Sequence, residues 1–235
     1  MTVSVALAAY NGEKYIEEQL RSVLPQLSED DEIVVSVDPG NDGTYEKVKS
    51  LSLSDGRVKP IEGKGQGLIK NFENAVKHCG GDIIMLCDQD DVWLPDKVER
   101  VKEELSKDGV LLCMHDARVV DEALNVREES FFKLRGTGTG IVKNILKNTY
   151  MGCCMAFKSE AKRYILPFPD KLPMHDQWIG LVCERKGKVS LIDEPLILYR
   201  RHGDNASSDS HAGALQMLRW RLQMLRALLS LGRKG

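Results

Sequence analysis

The sequence predicts an α/β fold with a largely parallel sheet flanked by helices. Short apolar runs rich in β-branched residues alternate with amphipathic segments through the first half of the 235-residue chain. That alternation is typical of a parallel sheet with right-handed crossovers. Polar turn residues follow several of the runs, as expected at strand ends. The length suits one sizeable core, so we expect a single domain.

Hydrophobic spacing and turn residues place the elements of the first half. Apolar runs predict strands over residues 3–9, 32–37, 58–61, 82–87 and 110–115. Helical spacing predicts helices over residues 13–24, 45–51, 68–78 and 97–106. Gly63, Gly65 and Gly67 precede the third helix at a spacing that fits neither a dinucleotide fingerprint nor a Walker motif. That loop is either part of a site or a flexible linker.

The second half is less regular. Strands are predicted over residues 150–157, 189–191 and 196–199, and helices over 159–164, 177–184 and 214–231. The glycine- and threonine-rich segment 136–140 is expected to be a mobile loop. A polar, serine-rich linker is predicted before the last helix, up to about Ala212.

Composition excludes several classes of protein. The formal net charge of -2 gives no basic signature for nucleic acid, although arginines gather near the C-terminus. The six cysteines show neither a CxxC pair nor zinc spacing, which favours a reduced interior over a disulfide framework. The sequence begins in a strand pattern, and no apolar stretch has the length of a membrane span. We therefore expect a cytoplasmic protein.

Three carboxylates within four positions follow the apolar run that ends at Cys87. Asp88, Asp90 and Asp91 would lie at the carboxyl end of an interior strand, where open α/β sheets bind ligands. Their mutual repulsion would be relieved by a cation, and hard divalent ions prefer such oxygen ligands. The alternative is a solvated acidic turn before a helix.

Five motifs occur in order along residues 1–206. They are Val3-Ser4-Val5-Ala6-Leu7-Ala8-Ala9-Tyr10-Asn11-Gly12, Asp38 with Asn41-Asp42-Gly43-Thr44, Lys70-Asn71-Phe72, Asp88-Gln89-Asp90-Asp91-Val92-Trp93, and Met174-His175-Asp176 with Tyr199-Arg200-Arg201-His202. The set resembles the family 2 glycosyltransferases of the GT-A fold, closest to bacterial rhamnosyltransferases that build surface polysaccharides. The resemblance implies a Rossmann-like, mixed but mainly parallel sheet, a nucleotide-sugar donor, a divalent cation (Mg²⁺ or Mn²⁺) and inverting transfer.

Roles on the donor side come from this resemblance. Tyr10 resembles the residue that stacks near the donor base, and Asp38 the residue that hydrogen-bonds the pyrimidine. Asp88 resembles the aspartate of the ribose or the metal shell, and Asp90 and Asp91 resemble the pair next to the metal. Pro39 and the single acid at this turn depart from the usual Asp-Asp-Gly-Ser, and Ala8 replaces a hydroxyl residue.

Asp176 occupies the position of the family's general base. The transfer requires a positioned carboxylate that takes the proton of the attacking hydroxyl. Local sequence alone favours a helix N-cap instead, and the helix dipole there would lower the pKa of the carboxyl. His175 precedes it where Glu is more common, and we expect His175 and Gly152 on the acceptor side.

The remaining site assignments have ordinary alternatives. His202 could bind the metal, and Arg200 and Arg201 could bind the diphosphate, or all three are solvated surface residues. Lys70, with Asn71 beside it, either contacts the donor diphosphate or is an exposed helix lysine.

Aromatic and C-terminal residues suggest acceptor contacts. Trp93 and Trp178 could form an apolar wall for a sugar ring, or they pack in the core. The predicted C-terminal helix carries leucines at helical spacing beside arginines. It could lie on an anionic membrane surface near a lipid-linked acceptor, or pack on the domain or on a second subunit of a homodimer.

The expected organisation is a GT-A domain over residues 1–206, followed by a linker and amphipathic helix over 207–235. Residues 1–115 would bind the nucleotide sugar and residues 116–206 the acceptor, a saccharide or lipid-linked saccharide. dTDP-rhamnose is the favoured donor, with a UDP-sugar as the alternative. A metal-dependent nucleotidyltransferase and a non-catalytic glycan- or nucleotide-sugar-binding module are the competing classes.

Overall fold

A computed structural model describes residues 1–203 and 213–231. The strands of this part are β1 (Val3–Ala9), β2 (Glu32–Val37), β3 (Val58–Glu62), β4 (Ile83–Cys87), β5 (Val92–Trp93), β6 (Val110–Val120), β7 (Val126–Glu128), β8 (Met155–Lys158) and β9 (Lys188–Arg200). The helices are α1 (Ile16–Val23), α2 (Thr44–Ser54), α3 (Leu68–His78), α4 (Lys97–Ser106), α5 (Phe131–Arg135), α6 (Ile141–Leu146), α7 (Lys162–Ile165), α8 (His175–Lys186) and α9 (Ala214–Leu231).

All of these strands join one sheet in the order β3-β2-β1-β4-β8-β6-β9-β5, with β7 paired to β6. Strands β3, β2, β1 and β4 are parallel, as their helical crossovers require. Every residue of β1 and β4 is buried because helices cover both faces of this half. The predicted α/β class with a mixed, mainly parallel sheet is confirmed.

The other half of the sheet is mixed. Strand β8 runs antiparallel between β4 and β6, and β9 lies parallel to β6. The two strands predicted over 189–191 and 196–199 are one 13-residue strand, β9. The polar residues Asp193-Glu194-Pro195 interrupt the apolar pattern, which is why two strands were predicted. In the structure the pairing with β6 continues past them with a shift of register.

Several boundaries differ from the predictions. Of the strand predicted over 150–157, only the residues from Met155 onward belong to a strand, β8, because Gly152–Cys154 forms a 3-10 turn. The predicted loop 136–140 connects two short helices, α5 and α6, that sequence spacing did not predict. The last helix is confirmed, whereas the serine-rich linker before it lies outside the described residues.

The six cysteines are buried and free. Burial raises the pKa of the Cys79 thiol to about 12, so this thiol stays protonated. No helix within residues 1–203 and 213–231 is both long enough and apolar enough to span a membrane.

Candidate active site

The three aspartates follow β4 at the carboxyl edge of the parallel strands, as predicted. Asp90 and Asp91 are 8% and 1% exposed, so the alternative of a solvated acidic turn does not describe them. The Gln89 side chain fixes this loop to the end of β1, because it accepts from the Tyr10 N–H at 2.9 Å and donates to the Tyr10 carbonyl at 3.0 Å. This side chain therefore links the ends of the neighbouring strands β1 and β4.

A cluster of potential metal ligands lies inside this loop. One ligand atom each of Asp88, Asp91 and Cys153 lies within 4.8 Å of the others. Asp91 Oδ2 is buried and has no hydrogen-bond partner among the described residues. Burial, together with neighbouring acids, raises the pKa of Asp88 to about 7 and that of Asp91 well above its usual value. An unpartnered oxygen among repelling carboxylates fits a divalent cation.

Cys153 joins the cluster through the antiparallel pairing of β8 with β4, which brings the turn before β8 to the end of β4. A hydrogen bond with Cys154, together with burial, raises the pKa of the Cys153 thiol well above its usual value. Since thiolate is the form that binds metals, the carboxylates are the stronger ligands here.

His202 reaches the same loop from the end of β9. Its Nε2 lies 2.8 Å from Asp90 Oδ2, and its side chain is only 4% exposed. The imidazole also packs on the Tyr15 ring, with 4.7 Å between the centroids. The alternative of a solvated surface histidine is therefore wrong, and His202 and Asp90 converge on one point.

Arg200 holds in place the loop of residues 88–91, which we call the acid loop. Its backbone N–H donates to Asp91 Oδ1 at 3.0 Å, and its Nε donates to the Asp90 carbonyl at 2.8 Å. Its other nitrogens donate to the Glu122 carbonyl and to the Glu18 carboxylate. Arg200 is 4% exposed and bound to the protein in this way, so it is neither a solvated surface residue nor directed at a diphosphate, and both sequence interpretations are wrong. Its role is to support the loop.

Arg201 is partly exposed, and its Nη1 donates to the Tyr199 hydroxyl at 3.0 Å. Unlike Arg200, it keeps part of its surface open to solvent, so it remains the arginine that could bind a diphosphate.

Asp38 ends β2 beside the glycine-rich loop. It is 5% exposed, and its Oδ1 accepts from the Gly65 N–H at 3.0 Å. A Cβ at Gly63 would lie 2.2 Å from the same oxygen, so glycine is required for this close approach. The loop is therefore packed on Asp38 rather than acting as a free linker. Tyr10, 56% exposed, remains available for stacking.

Lys70 and Asn71 differ in their surroundings. The Lys70 ammonium is 2.7 Å from Glu73 Oε2, one turn along the same helix. Asn71 is buried and donates to the Ala9 carbonyl at 3.0 Å, while its Oδ1 has no partner among the described residues. Asn71 thus fixes the end of β1, and Lys70 would have to leave Glu73 to reach a diphosphate.

Asp176 lies in the first turn of α8, not at its cap. Met174 occupies the N-cap position, so the interpretation of Asp176 as an N-cap is wrong. Asp176 Oδ1 accepts from the Gln177 N–H at 2.6 Å, and Asn148 Nδ2 lies 3.4 Å from Oδ2. Burial raises the pKa of Asp176 to about 6, which overrides the lowering expected from the helix dipole. Asp176 is also close enough to Asp88 for its charge to add to the raised pKa of that carboxyl.

His175 and Gly152 border Asp176. The His175 ring stacks on Phe72 with 4.2 Å between centroids, and burial lowers its pKa to about 4. A neutral imidazole adds no charge to the site. A Cβ at Gly152 would lie 3.0 Å from His175 Nε2 and 3.8 Å from the Asp176 Cβ, so glycine keeps the space beside the carboxylate open.

Both tryptophans belong to the core. Trp178 is 1% exposed, and its Nε1 donates to the Ile165 carbonyl at 2.9 Å. Trp93 is 4% exposed and lies under the Lys97 ammonium, 3.9 Å from its ring centre. The packing alternative therefore describes both residues better than a sugar-binding wall.

Lys97 and Asn148 are site residues that sequence reasoning did not identify. Lys97 is 1% exposed, and its Nζ donates to the Cys153 carbonyl at 3.0 Å beneath the acid cluster. Burial lowers the pKa of this ammonium. In the sequence, Lys97 looks like a surface lysine at a helix start, and nothing near Asn148 marks it. Their contacts with the Cys153 carbonyl and with Asp176 are visible only in the folded chain.

Solved structures establish the class of fold. S. aureus TarS 1–349 in complex with UDP-GlcNAc superposes with a TM-score of 0.74 over 96% of this chain and 66% of that one, at 17% identity. Glucosyl-3-phosphoglycerate synthase from Mycobacterium tuberculosis, in complex with Mn²⁺, UDP-glucose and phosphoglyceric acid, gives 0.60 over 98% and 79%, at 18% identity. The chain has the GT-A fold of these glycosyltransferases.

Sequence comparison establishes the family. The family model described as "Glycosyl transferase family 2" matches residues 4–165, so the chain belongs to that family. It is 28% identical over 218 residues to the dTDP-rhamnosyl transferase RfbG of Shigella flexneri, covering 85% of this chain and 72% of that one. It is 31% identical over 194 residues to the UDP-Glc:alpha-D-GlcNAc-diphosphoundecaprenol beta-1,3-glucosyltransferase WfgD of Escherichia coli, covering 81% and 73%.

The chain spans 66% of the length of a glycosyltransferase from Nostoc sp. that is 26% identical to it, and 66% of the TarS fragment. Membership of this family favours the glycosyltransferase class over a metal-dependent nucleotidyltransferase.

Proposed function

We propose that this protein is an inverting glycosyltransferase that moves a sugar from a nucleoside diphosphate to a saccharide or lipid-linked saccharide in bacterial surface polysaccharide synthesis. The observation that carries the proposal is the position of Asp176. Its carboxyl, whose pKa burial raises to about 6, lies beside Gly152, the neighbour of the Cys153 that clusters with Asp88 and Asp91 at the carboxyl edge of the sheet. A base and a cation-binding loop close to each other are what transfer from a nucleoside diphosphate requires.

The donor would bind the half formed by residues 1–115. Tyr10 would stack on the base and Asp38 would hydrogen-bond the pyrimidine ring, with Asp88 at the ribose or beside the metal. Arg201, Lys70 and Asn71 would border the diphosphate. RfbG supports dTDP-rhamnose as the donor, and WfgD supports a UDP-sugar as the second candidate.

Asp90, Asp91 and His202 would hold the divalent cation, with Asp88 close by. The convergence of Asp90 and His202 and the unpartnered oxygen of Asp91 support this set. Bound there, Mg²⁺ or Mn²⁺ supplies Lewis-acid neutralisation of the leaving diphosphate. The chain itself holds these ligands, since Arg200 at the end of β9 donates to Asp91 Oδ1 and to the Asp90 carbonyl.

Asp176 would accept the proton of the acceptor hydroxyl in the half formed by residues 116–206. Most of its carboxyl is ionised at neutral pH, and its basicity is greater than that of an exposed aspartate. Gly152 and His175 would border the acceptor. We place the reaction in the cytoplasm, at the inner face of the membrane where the acceptor is lipid-linked, and leave a homodimer to be tested by light scattering.

A screen of nucleotide sugars tests the proposal. Purified protein is incubated with dTDP-rhamnose or UDP-sugars, with Mn²⁺, Mg²⁺ or EDTA, and release of nucleoside diphosphate is measured. We expect release that EDTA abolishes, and a higher melting temperature with the correct nucleotide plus metal, since ligands stabilise the native state. Turnover that is unchanged in EDTA would refute the cation, and no turnover or stabilisation with any nucleotide sugar would refute the donor class.

A further inference from the structure

Two helical segments with no acidic residue meet on one side of the molecule. Residues 131–147, which include α5 and α6, carry four Lys or Arg, and residues 214–231 carry three, in a chain whose net charge is -2. The segments are in contact, because Arg221 donates from Nε and Nη2 to the Leu146 carbonyl at 3.1 and 2.6 Å. The two segments therefore lie side by side, and their own charged residues are all basic.

The two segments also expose large aliphatic side chains. On α6, Val142 and Leu146 are 72% and 58% exposed. On α9, five leucines recur at alternating spacings of three and four residues and are all exposed: Leu215, Leu218, Leu222, Leu225 and Leu229. Helix α9 packs on the domain through its other side, where Met224 and Leu228 are buried. The leucine stripe is thus a second apolar face, exposed in the part of the chain that the structure describes.

The charges beside the stripe decide between two occupants. In a pairing of α9 with the α9 of a second copy, Arg219, Arg221 and Arg226 would flank the leucine seam. Parallel pairing would set Arg221 against Arg226, and antiparallel pairing would set like arginines against each other. Flanking charges select coiled-coil partners, and like charges repel. An anionic occupant avoids this repulsion.

We propose that the surface formed by α6 and α9 docks on an anionic phospholipid bilayer. Exposed leucines beside arginines, without acids, are the composition of a helix that lies in a membrane interface. Anionic headgroups attract each basic side chain near the bilayer surface. The inference goes beyond the proposed transfer reaction, because it concerns which surface of the protein binds a membrane and not which sugar is transferred.

This surface lies close to Asp176, the proposed base. Asn144 of α6 accepts from Gln177 at 2.6 Å, and Asn148, just after α6, lies beside Asp176. Lys171, five residues before Asp176, lines a shallow cleft of about 330 Å³ with the leucine stripe. A bilayer held by α6 and α9 would therefore lie near the proposed base, on the side where an acceptor carried in the membrane would arrive.

Vesicle flotation with the full chain tests the proposal. We expect binding to vesicles of phosphatidylcholine plus phosphatidylglycerol, weak binding to phosphatidylcholine alone, and release by high salt. Arg219→Gln with Arg226→Gln should lower the partition coefficient by roughly fivefold for each arginine removed. Leu218→Ser with Leu222→Ser should abolish binding. All four positions are exposed, so circular dichroism melts should match wild type.

Matched controls lie on α2, away from this surface. Lys49→Gln and Leu53→Ser remove an exposed lysine and an 84% exposed leucine and should leave vesicle binding unchanged. Nucleoside diphosphate release with a water-soluble acceptor should also stay at the wild-type rate in every surface variant, so a failure of the transfer proposal is seen separately.

Absence of vesicle binding by the wild type, or equal loss in the controls, overturns the proposal. A dimer in light scattering that Leu218→Ser with Leu222→Ser converts to a monomer, without vesicle binding, would assign the stripe to a second copy instead.

Discussion

Replacing Asp176 by asparagine separates catalysis from stability. The amide keeps the shape of the side chain and can still accept from the Gln177 N–H, but it cannot take a proton. Positioned general bases contribute about 10²- to 10⁴-fold to rates, so kcat of Asp176→Asn should fall by about that factor. Affinity for the nucleotide donor should survive, because the acid loop is untouched.

The same substitution should not destabilise the fold. The pKa of Asp176 is raised from 3.8 to about 6 by burial, so the folded state binds this proton more tightly than the unfolded chain. The contribution of Asp176 to stability is therefore complete below about pH 4 and is lost as the pH rises through about 6. At about pH 8 the ionised carboxyl costs up to about 3 kcal/mol, which asparagine removes. At about pH 5 the difference between the two proteins should shrink to roughly half.

The assays are steady-state turnover and thermal melts of wild type and Asp176→Asn at both pH values, with calorimetric titration of the donor nucleotide plus Mn²⁺. Asp108→Asn is the control, since Asp108 is exposed between α4 and β6, and it should change neither quantity. Turnover near wild type in Asp176→Asn would refute the base. A lower melting temperature at about pH 8 would refute the argument from burial.

Three further outcomes follow from the geometry. For wild type saturated with donor, kcat should fall about tenfold per pH unit below pH 6 as Asp176 is protonated; a rate that is flat to about pH 5 would contradict the assignment. His202→Asn should weaken Mn²⁺-dependent nucleotide binding at least tenfold in calorimetry with little change in metal-free binding, and equal losses in both would indicate a folding defect. Trp178→Ala should lower the free energy of unfolding by about 3–5 kcal/mol in urea titrations, whereas a loss under 1 kcal/mol would place the ring outside the core.

Local features of the chain were predictable from sequence. Strand β1, the aspartates after β4 and the last helix each depend on side-chain patterns within one short stretch. Strand β9 was predicted as two strands because the polar residues in its middle are visible in the local sequence. The pairing with β6 that continues the strand past them is a long-range contact, which the local sequence does not show. The helices α5 and α6 are too short, at five and six residues, to show helical periodicity.

The parts of the site that sequence could not provide depend on strand order. Cys153 reaches the acid cluster only because β8 pairs with β4, and Lys97 then donates to its carbonyl. The tryptophans illustrate a second limit, since proximity in sequence to an acid does not distinguish a side chain that faces the site from one that packs behind it. Arg200 is a third case, because its role depends on which neighbours use its donors.

The buried carboxylates of the acid loop destabilise the metal-free fold, and neighbouring groups compensate this cost only in part. Three carboxylates at the edge of the sheet repel one another, and burial strengthens that repulsion. The Lys97 ammonium beneath the cluster and the Arg200 N–H groups beside it offset only part of this cost, because the pKa values of Asp88 and Asp91 remain raised. A cation that neutralises the remaining charge therefore stabilises the native state as it binds. If the proposed cation binds here, the same arrangement that destabilises the metal-free fold would strengthen binding of that cation.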